Sequence, residues 1–351
     1  MRKPTAARAA EVFSLRALQA AALRSARGKR HRASVARFLL ELEPRLVALR
    51  DALQSGTWQP STGTEMNVRD PKPRVISVPS FADRVVHQAL AQVLGPRLDR
   101  RLITDTYASR IGRGTHAAMR RARSWARTYR FAVHLDAVQY FPSIDHRLLL
   151  DQLGRDTPEP FLRALCARIV GASLRGRTLH FPGDDLFSPL AHRVGLPLGS
   201  FTSQLFANRY LDPVDHLAKD RLRVRPYLRY MDDLLLFGDD ARELAATART
   251  LEQACWELRL RMHPWEVRPT RAGVGFVGYR VVNGHVRVRR STVARAERGL
   301  ARIVAQAERG EREPHEVWDA LRSTFAHWDH ADTWRLKGRL LARLHLLWPS
   351  P

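Results

Sequence analysis

The hydrophobic pattern changes period along the chain. Val35, Phe38, Leu39, Leu42, Leu46 and Leu49 recur every three or four residues, which predicts helix and draws the N-terminal region into the fold. Residues 55–80 interrupt that spacing with Pro60, Pro71, Pro73, Pro79, Gly56 and Gly63, and predict loop. Val85, Val86, Ala89, Leu90 and Val93 restore a helical face, which Gly95-Pro96 is expected to end. Phe131 to Leu135 is short, apolar and partly β-branched, so it predicts a buried strand ending at Asp136; Asp145 is placed to cap a helix through Leu148–Leu150. Thr202–Leu217 predicts helix. Tyr227–Tyr230 and Leu234–Phe237 predict two strands around a tight Met231-Asp232 turn, and Asp239–Leu260 a long helix. Val274–Val282 and His285–Val288 predict a hairpin around Asn283-Gly284, and helical spacing fills the chain after Ser291. Strands gathered in the middle with helices at both ends form an α+β pattern.

Composition narrows the class. A chain of 351 residues can bury a sizeable core and hold two or three domains. No apolar run approaches the ~20 residues that span a bilayer, so a soluble, cytoplasmic protein with no membrane partner is expected. Cys166 and Cys255, far apart, make neither a disulfide framework nor a zinc site. Lys+Arg 59 against Asp+Glu 35 gives a net charge of +24, a field that attracts polyanions, nucleic acid first. Only Lys3, Lys29, Lys72, Lys219 and Lys337 are lysine; codon preference explains arginine over lysine but not the shortage of acids. Residues 1–38 carry Glu11 as their sole acid and resemble a transit peptide in composition. The apolar stripe that continues from them favours a basic segment gripping RNA.

Candidate chemistry sits at the apolar strands. Asp232 and Asp233 are adjacent at the predicted turn, flanked by Leu228 and Leu234 to Phe237. Two neighbouring carboxylates between apolar strands call for a cation, and hard divalent ions take carboxylate and phosphate oxygens. Asp136, ending another apolar strand, is a third carboxylate. Three allow two ions ~3.5–4 Å apart to clamp the attacking and leaving oxygens of a displacement. Gly195-Leu-Pro-Leu-Gly199-Ser-Phe-Thr-Ser-Gln204 has glycines that allow close backbone approach to a base pair. Arg110-Ile-Gly112-Arg-Gly114 mimics a dinucleotide fingerprint but lacks a preceding apolar strand.

In this order and spacing the segments resemble the palm of bacterial reverse transcriptases. Phe131–His146 is similar to their first catalytic motif, Gly195–Gln204 to their nucleotide motif, and Tyr230–Asp233 to the YMDD box. Lys72–Leu90 resembles the fingers motif, Thr106–Thr115 the block after it, and Val274–Val281 the primer-grip hairpin. The resemblance implies a right-hand polymerase fold. A basic helical extension would occupy residues 1–60, fingers and palm 61–290, and a small helical thumb 291–351. It implies Asp136, Asp232 and Asp233 as ligands of two Mg2+ ions, with Ala137 beside them. It places Lys72, Arg74, Phe141, Leu198, Gly199 and Gln204 at the incoming dNTP. Tyr230, Met231, Gly275, Gly278 and Tyr279 fall at the primer and template. Phe141 would block a ribose 2′-OH, which separates the chain from an RNA-dependent RNA polymerase.

Within that family, Leu198-Gly199 with Ser203-Gln204 replaces the more usual Gln-Gly and Ser-Pro. That form is similar to reverse transcriptases of diversity-generating retroelements, as are Phe81–His87 and Ser323–Trp334. The resemblance implies copying of template RNA into cDNA with errors at adenines, alongside a small basic accessory protein. A retron-type or antiviral defence enzyme is the alternative, and a non-catalytic RNA-binding palm a further one. One departure is that His263-Pro264 is followed by Trp265-Glu266-Val267, where the family carries a lysine; His263 and Arg268 both stand near.

Overall fold

The computed structural model describes residues 12–68, 74–172, 181, 184, 192–197, 199–282 and 284–344. Three helices, α1 (Leu15–Ala26), α2 (Ala33–Leu40) and α3 (Leu42–Gln54), lead to the hairpin β1 (Thr64–Val68) and β2 (Arg74–Val78), then α4 (Phe81–Asp99) and α5 (Thr115–Thr128). Strand β3 (Phe131–Asp136) precedes α6 (His146–Asp156), α7 (Pro160–Gly171) and α8 (Phe201–Tyr210). Strands β4 (Tyr227–Tyr230) and β5 (Asp233–Gly238) are followed by α9 (Ala241–Glu257), β6 (Val267–Pro269), β7 (Val274–Phe276), β8 (Tyr279–Val282) and β9 (His285–Val288). Helices α10 (Arg290–Glu308), α11 (Pro314–Trp328) and α12 (Trp334–Arg343) complete the described chain. The fold is α+β.

Contacts divide it into two compact units that interleave along the sequence: Met1–Ser109 with Asp136–Arg223 and Thr250–His263, and Arg110–Leu135 with Val224–Arg249 and Pro264–Pro351. In the first unit α4 packs against α1 and α8. Val85, Val86, Leu90 and Leu94 are fully buried there, each contributing roughly 1.5–3 kcal/mol. The predicted stop at Gly95-Pro96 is overturned, since α4 runs through Pro96 to Asp99. Gly95 has no Cβ to meet the proline ring, and burial of Leu98 holds the last turn. The loop expected over 55–80 contains a hairpin, β1 pairing with β2 from Thr64↔Val78 to Val68↔Arg74. Pro60, Pro71, Pro73 and Pro79 flank both strands, and Val75-Ile76 breaks the alternation in β2, so the sequence pattern does not reveal it.

The second unit holds an antiparallel sheet in the order β4-β5-β3-β6 and a three-stranded sheet β7-β8-β9. Helix α5 packs on β4, β5 and β8 through buried Ala118, Met119 and Ala122. A core of Tyr279, Val281, Leu300, Leu321, Trp328 and Leu340 joins β8 to the last three helices. The run Val274–Val282, expected as one strand, is two, because Val277 and Gly278 adopt positive φ (41° and 89°) and fold it back on itself. Among the described residues no helix is long and apolar enough to cross a membrane.

Candidate active site

Strands β4 and β5 are paired up to Tyr230↔Asp233, which leaves Met231 and Asp232 as the turn. Leu234, Leu235 and Leu236 are fully buried, whereas Asp232 and Asp233 are half-buried at the tip. The apolar strands therefore hold two carboxylates at the edge of solvent. Met231 is left-handed, φ 58°, a conformation that costs a non-glycine residue ~1–2 kcal/mol. Arg229 offsets that cost. It is fully buried and donates from Nη1 to the Met231 carbonyl at 2.9 Å. Sequence reasoning missed Arg229, since an arginine between tyrosines in a strand reads as an outward-facing side chain.

Asp136 closes β3, the neighbour of β5 in the sheet. Past it, Ala137 bridges to Met262: the His263 N–H donates to the Asp136 carbonyl and the Val138 N–H to the Arg261 carbonyl, each at 2.8 Å. Antiparallel backbone bonds alternately to opposite edges, so the Ala137 carbonyl faces away from that bridge. The half-exposed carboxylates of the β4–β5 turn are hard oxygen donors of the kind magnesium takes. Among the described residues no three His, Cys, Asp or Glu side chains form a metal cage of their own. Magnesium does not need one, because it keeps waters and is bound through one or two carboxylates with substrate phosphates.

The nucleotide motif is built into the first unit by its backbone. Gly195 N–H donates to Ile144 O and Leu196 N–H to Phe141 O, both 2.8 Å. Phe141 stacks edge-on to Tyr140 at 5.7 Å. Gly199 has φ +110°, and a Cβ there would stand 2.7 Å from the Ser77 carbonyl oxygen and 2.8 Å from Ile76 Cγ2. The loop thus lies directly on β2. Ser200 and Thr202 meet His87 Nδ1 at 3.0 and 2.6 Å. Burial pushes the His87 pKa down to about 4, so the imidazole is neutral and the cluster is an uncharged brace linking α4 to the start of α8. Gln204 is exposed and its side-chain oxygen accepts from Ser109 at 2.9 Å.

In the second unit Thr115, the first residue of α5, shares a 3.0 Å hydrogen bond with the Tyr230 hydroxyl. The Arg110–Thr115 block is thereby tied to the YMDD segment. At the β7–β8 hairpin, Gly275 lies under the Arg289 guanidinium, 3.4 Å from where its Cβ would be. Tyr279, expected at the primer, is fully buried, and its hydroxyl donates to the His327 carbonyl at 2.8 Å. The aromatic ring is part of the core that β8 shares with the last three helices. Lys72 and Leu198 lie outside the described residues, as does the Arg74 side chain. Of the two groups near the missing lysine, His263 is bonded through its backbone to Asp136, and Arg268 is ion-paired with Glu266.

Residues 67–281 match the family model described as reverse transcriptase (RNA-dependent DNA polymerase). Protein YkfC of Escherichia coli (strain K12) is 24% identical over 289 residues, 70% of this chain and 72% of that protein. Apo telomerase from Candida tropicalis superposes with TM-score 0.50 at 11% identity, over 82% of this chain and 62% of its own. Telomerase from Candida albicans in complex with a fragment of telomeric RNA gives 0.46 at 12% identity, over 82% of this chain and 55% of its own. The chain thus spans less than two thirds of either telomerase, and at 11% identity the likeness to the first concerns the fold. Most of the chain, including every palm motif described above, falls within the family match: it belongs to the reverse transcriptase family.

Proposed function

We propose that the chain copies a template RNA by adding dNTPs to a primer 3′-OH at two Mg2+ ions held by Asp136, Asp232 and Asp233. The observation that carries this is the buried-strand turn presenting Asp232 and Asp233 inside a segment that matches the family from 67 to 281. Bound Mg2+ would lower the pKa of the primer hydroxyl and neutralise the departing pyrophosphate. The chain's own residues do the rest. Arg229 and Met231 fix the turn, Phe141 faces the sugar, and Gly199 admits the nucleotide against β2. Lys72 and Arg74 meet the triphosphate, and Gly275 and Gly278 carry the primer. Residues 61–290 act as fingers and palm, 291–351 as thumb, and 1–60 as a basic extension, in a cytoplasmic enzyme.

The finer reading is mutagenic copying in a diversity-generating retroelement, with a small basic accessory protein. It rests on Leu198-Gly199 and Ser203-Gln204. An apolar side chain in place of an amide removes a hydrogen-bonding check on the incoming base, leaving the ~1–3 kcal/mol that apolar contact alone can discriminate. Primer extension on a defined RNA template, with product sequencing, should show errors clustered at template adenines, and Leu198→Gln should reduce them. Faithful wild-type products would discard the retroelement reading and keep the polymerase.

Charge makes a separate prediction. A thumb and N-terminal region rich in arginine hold duplex by phosphates, and each phosphate neutralised contributes about −0.9 to the log–log salt slope. Affinity for an RNA–DNA duplex should fall about a thousandfold between 50 and 200 mM salt by fluorescence anisotropy. A flat salt response would remove the electrostatic grip.

A further inference from the structure

His134 is a group that neither the motifs nor the family assignment accounts for. It lies on β3 two residues before Asp136, so strand alternation puts the two side chains on one face, opposite buried Val133 and Leu135. Its Nε2 is 2.7 Å from Asp233 Oδ1. A carboxylate only accepts, so the imidazole must donate Nε2–H. On its other side the ring meets Phe276 edge-on, centroids 6.2 Å apart and planes at 88°. Phe276 is almost fully buried in β7 and adjoins Gly275. His134 is therefore gripped between the β7–β8 hairpin and the Asp233 carboxylate.

We propose that His134 is a positioning residue. It locks the rotation of the Asp233 carboxylate so that Oδ2 is presented to a divalent cation, and it couples that orientation to the β7–β8 hairpin. The inference rests on the two-metal reading above. A carboxylate at a turn tip is otherwise free to swing about its terminal torsion. One fixed donor on Oδ1 removes that freedom before the ion arrives. Partners that orient a metal's ligands in this way change affinity about 10–100-fold when removed.

Mn2+ is the probe. Its binding to the full chain is titrated by electron paramagnetic resonance for the wild type, His134→Leu, His134→Gln and Phe276→Leu, with Asp232→Asn as reference. His134→Leu should raise the Mn2+ dissociation constant about tenfold or more. His134→Gln, whose amide N–H reaches the same oxygen, should restore it to within about threefold, and Phe276→Leu should give an intermediate rise. Affinity for the primer–template duplex should not move in either His134 variant. Wild-type Mn2+ binding in His134→Leu overturns the proposal, as does a Gln variant as weak as Leu. Should His134→Leu fail to fold, the Gln and Phe276→Leu values decide by the same criteria. If Asp232→Asn also binds Mn2+ and extends primers like the wild type, the two-metal reading itself falls; if only His134→Leu is silent, this inference falls alone.

Discussion

Asp232→Asn should cut RNA-templated primer extension by at least about a thousandfold while leaving the melting temperature unchanged or slightly higher. The rate effect follows from charge. A divalent ion at a transferring phosphoryl group supplies several kcal/mol of transition-state stabilisation, and about 4 kcal/mol is a thousandfold in rate. Asparagine keeps the shape of the side chain but is a neutral donor-acceptor in place of an anion. The stability effect runs the other way. Asp232 and Asp233 are adjacent at the tip of a turn whose strands are buried. Removing one of two neighbouring negative charges relieves repulsion in the folded state. Single-turnover extension and thermal melting by circular dichroism, run on the same preparation, check both halves. A variant that melts early and loses activity would mean that Asp232 serves the fold; one that keeps activity would exclude it from the metal site.

The parts of this site that were legible in the sequence are those where one residue type has one physical use. Adjacent aspartates between leucines can only be a solvent-edge turn, and β4 and β5 form it as predicted. The helix cap is another such case, with Asp145 accepting from the Leu148 N–H at 3.0 Å. What stayed hidden are residues whose role depends on a distant partner. Arg229 reads as surface until its guanidinium is seen on the Met231 carbonyl. His134 reads as a polar break in an apolar strand until Asp233 is beside it. His87 lies 115 residues from Thr202, and no local pattern joins them. The β1–β2 hairpin was masked by prolines, and the β7–β8 turn by a largely apolar run in which Gly278 is a weak signal of the reversal. The sequence also gave no sign that the two compact units interleave, because contiguous motifs suggest contiguous domains.

Gly199→Ala should cost about a hundredfold in kcat/KM, through steric overlap added to backbone strain. Its backbone is at φ +110°, where an L side chain is strained, and its Cβ would meet the Ser77 carbonyl oxygen at 2.7 Å and Ile76 Cγ2 at 2.8 Å. The nearer of these is backbone within β2, which is held across the hairpin by its register with β1. It cannot rotate away as a side-chain tip would. Either β2 or the nucleotide loop must shift, and a displacement of ~1 Å at a reacting site can cost about a hundredfold in rate. Gly112→Ala separates the two penalties, since Gly112 also has positive φ, +73°, but open space around it. Its cost should be limited to the ~1–2 kcal/mol of a left-handed alanine. Steady-state kinetics with a single dNTP should therefore show kcat/KM reduced about a hundredfold in Gly199→Ala, carried by a raised KM for the nucleotide, with duplex affinity unchanged. A KM equal to wild type would mean that the loop and β2 do not form the nucleotide pocket, and that Gly199 serves only the path of the chain into α8.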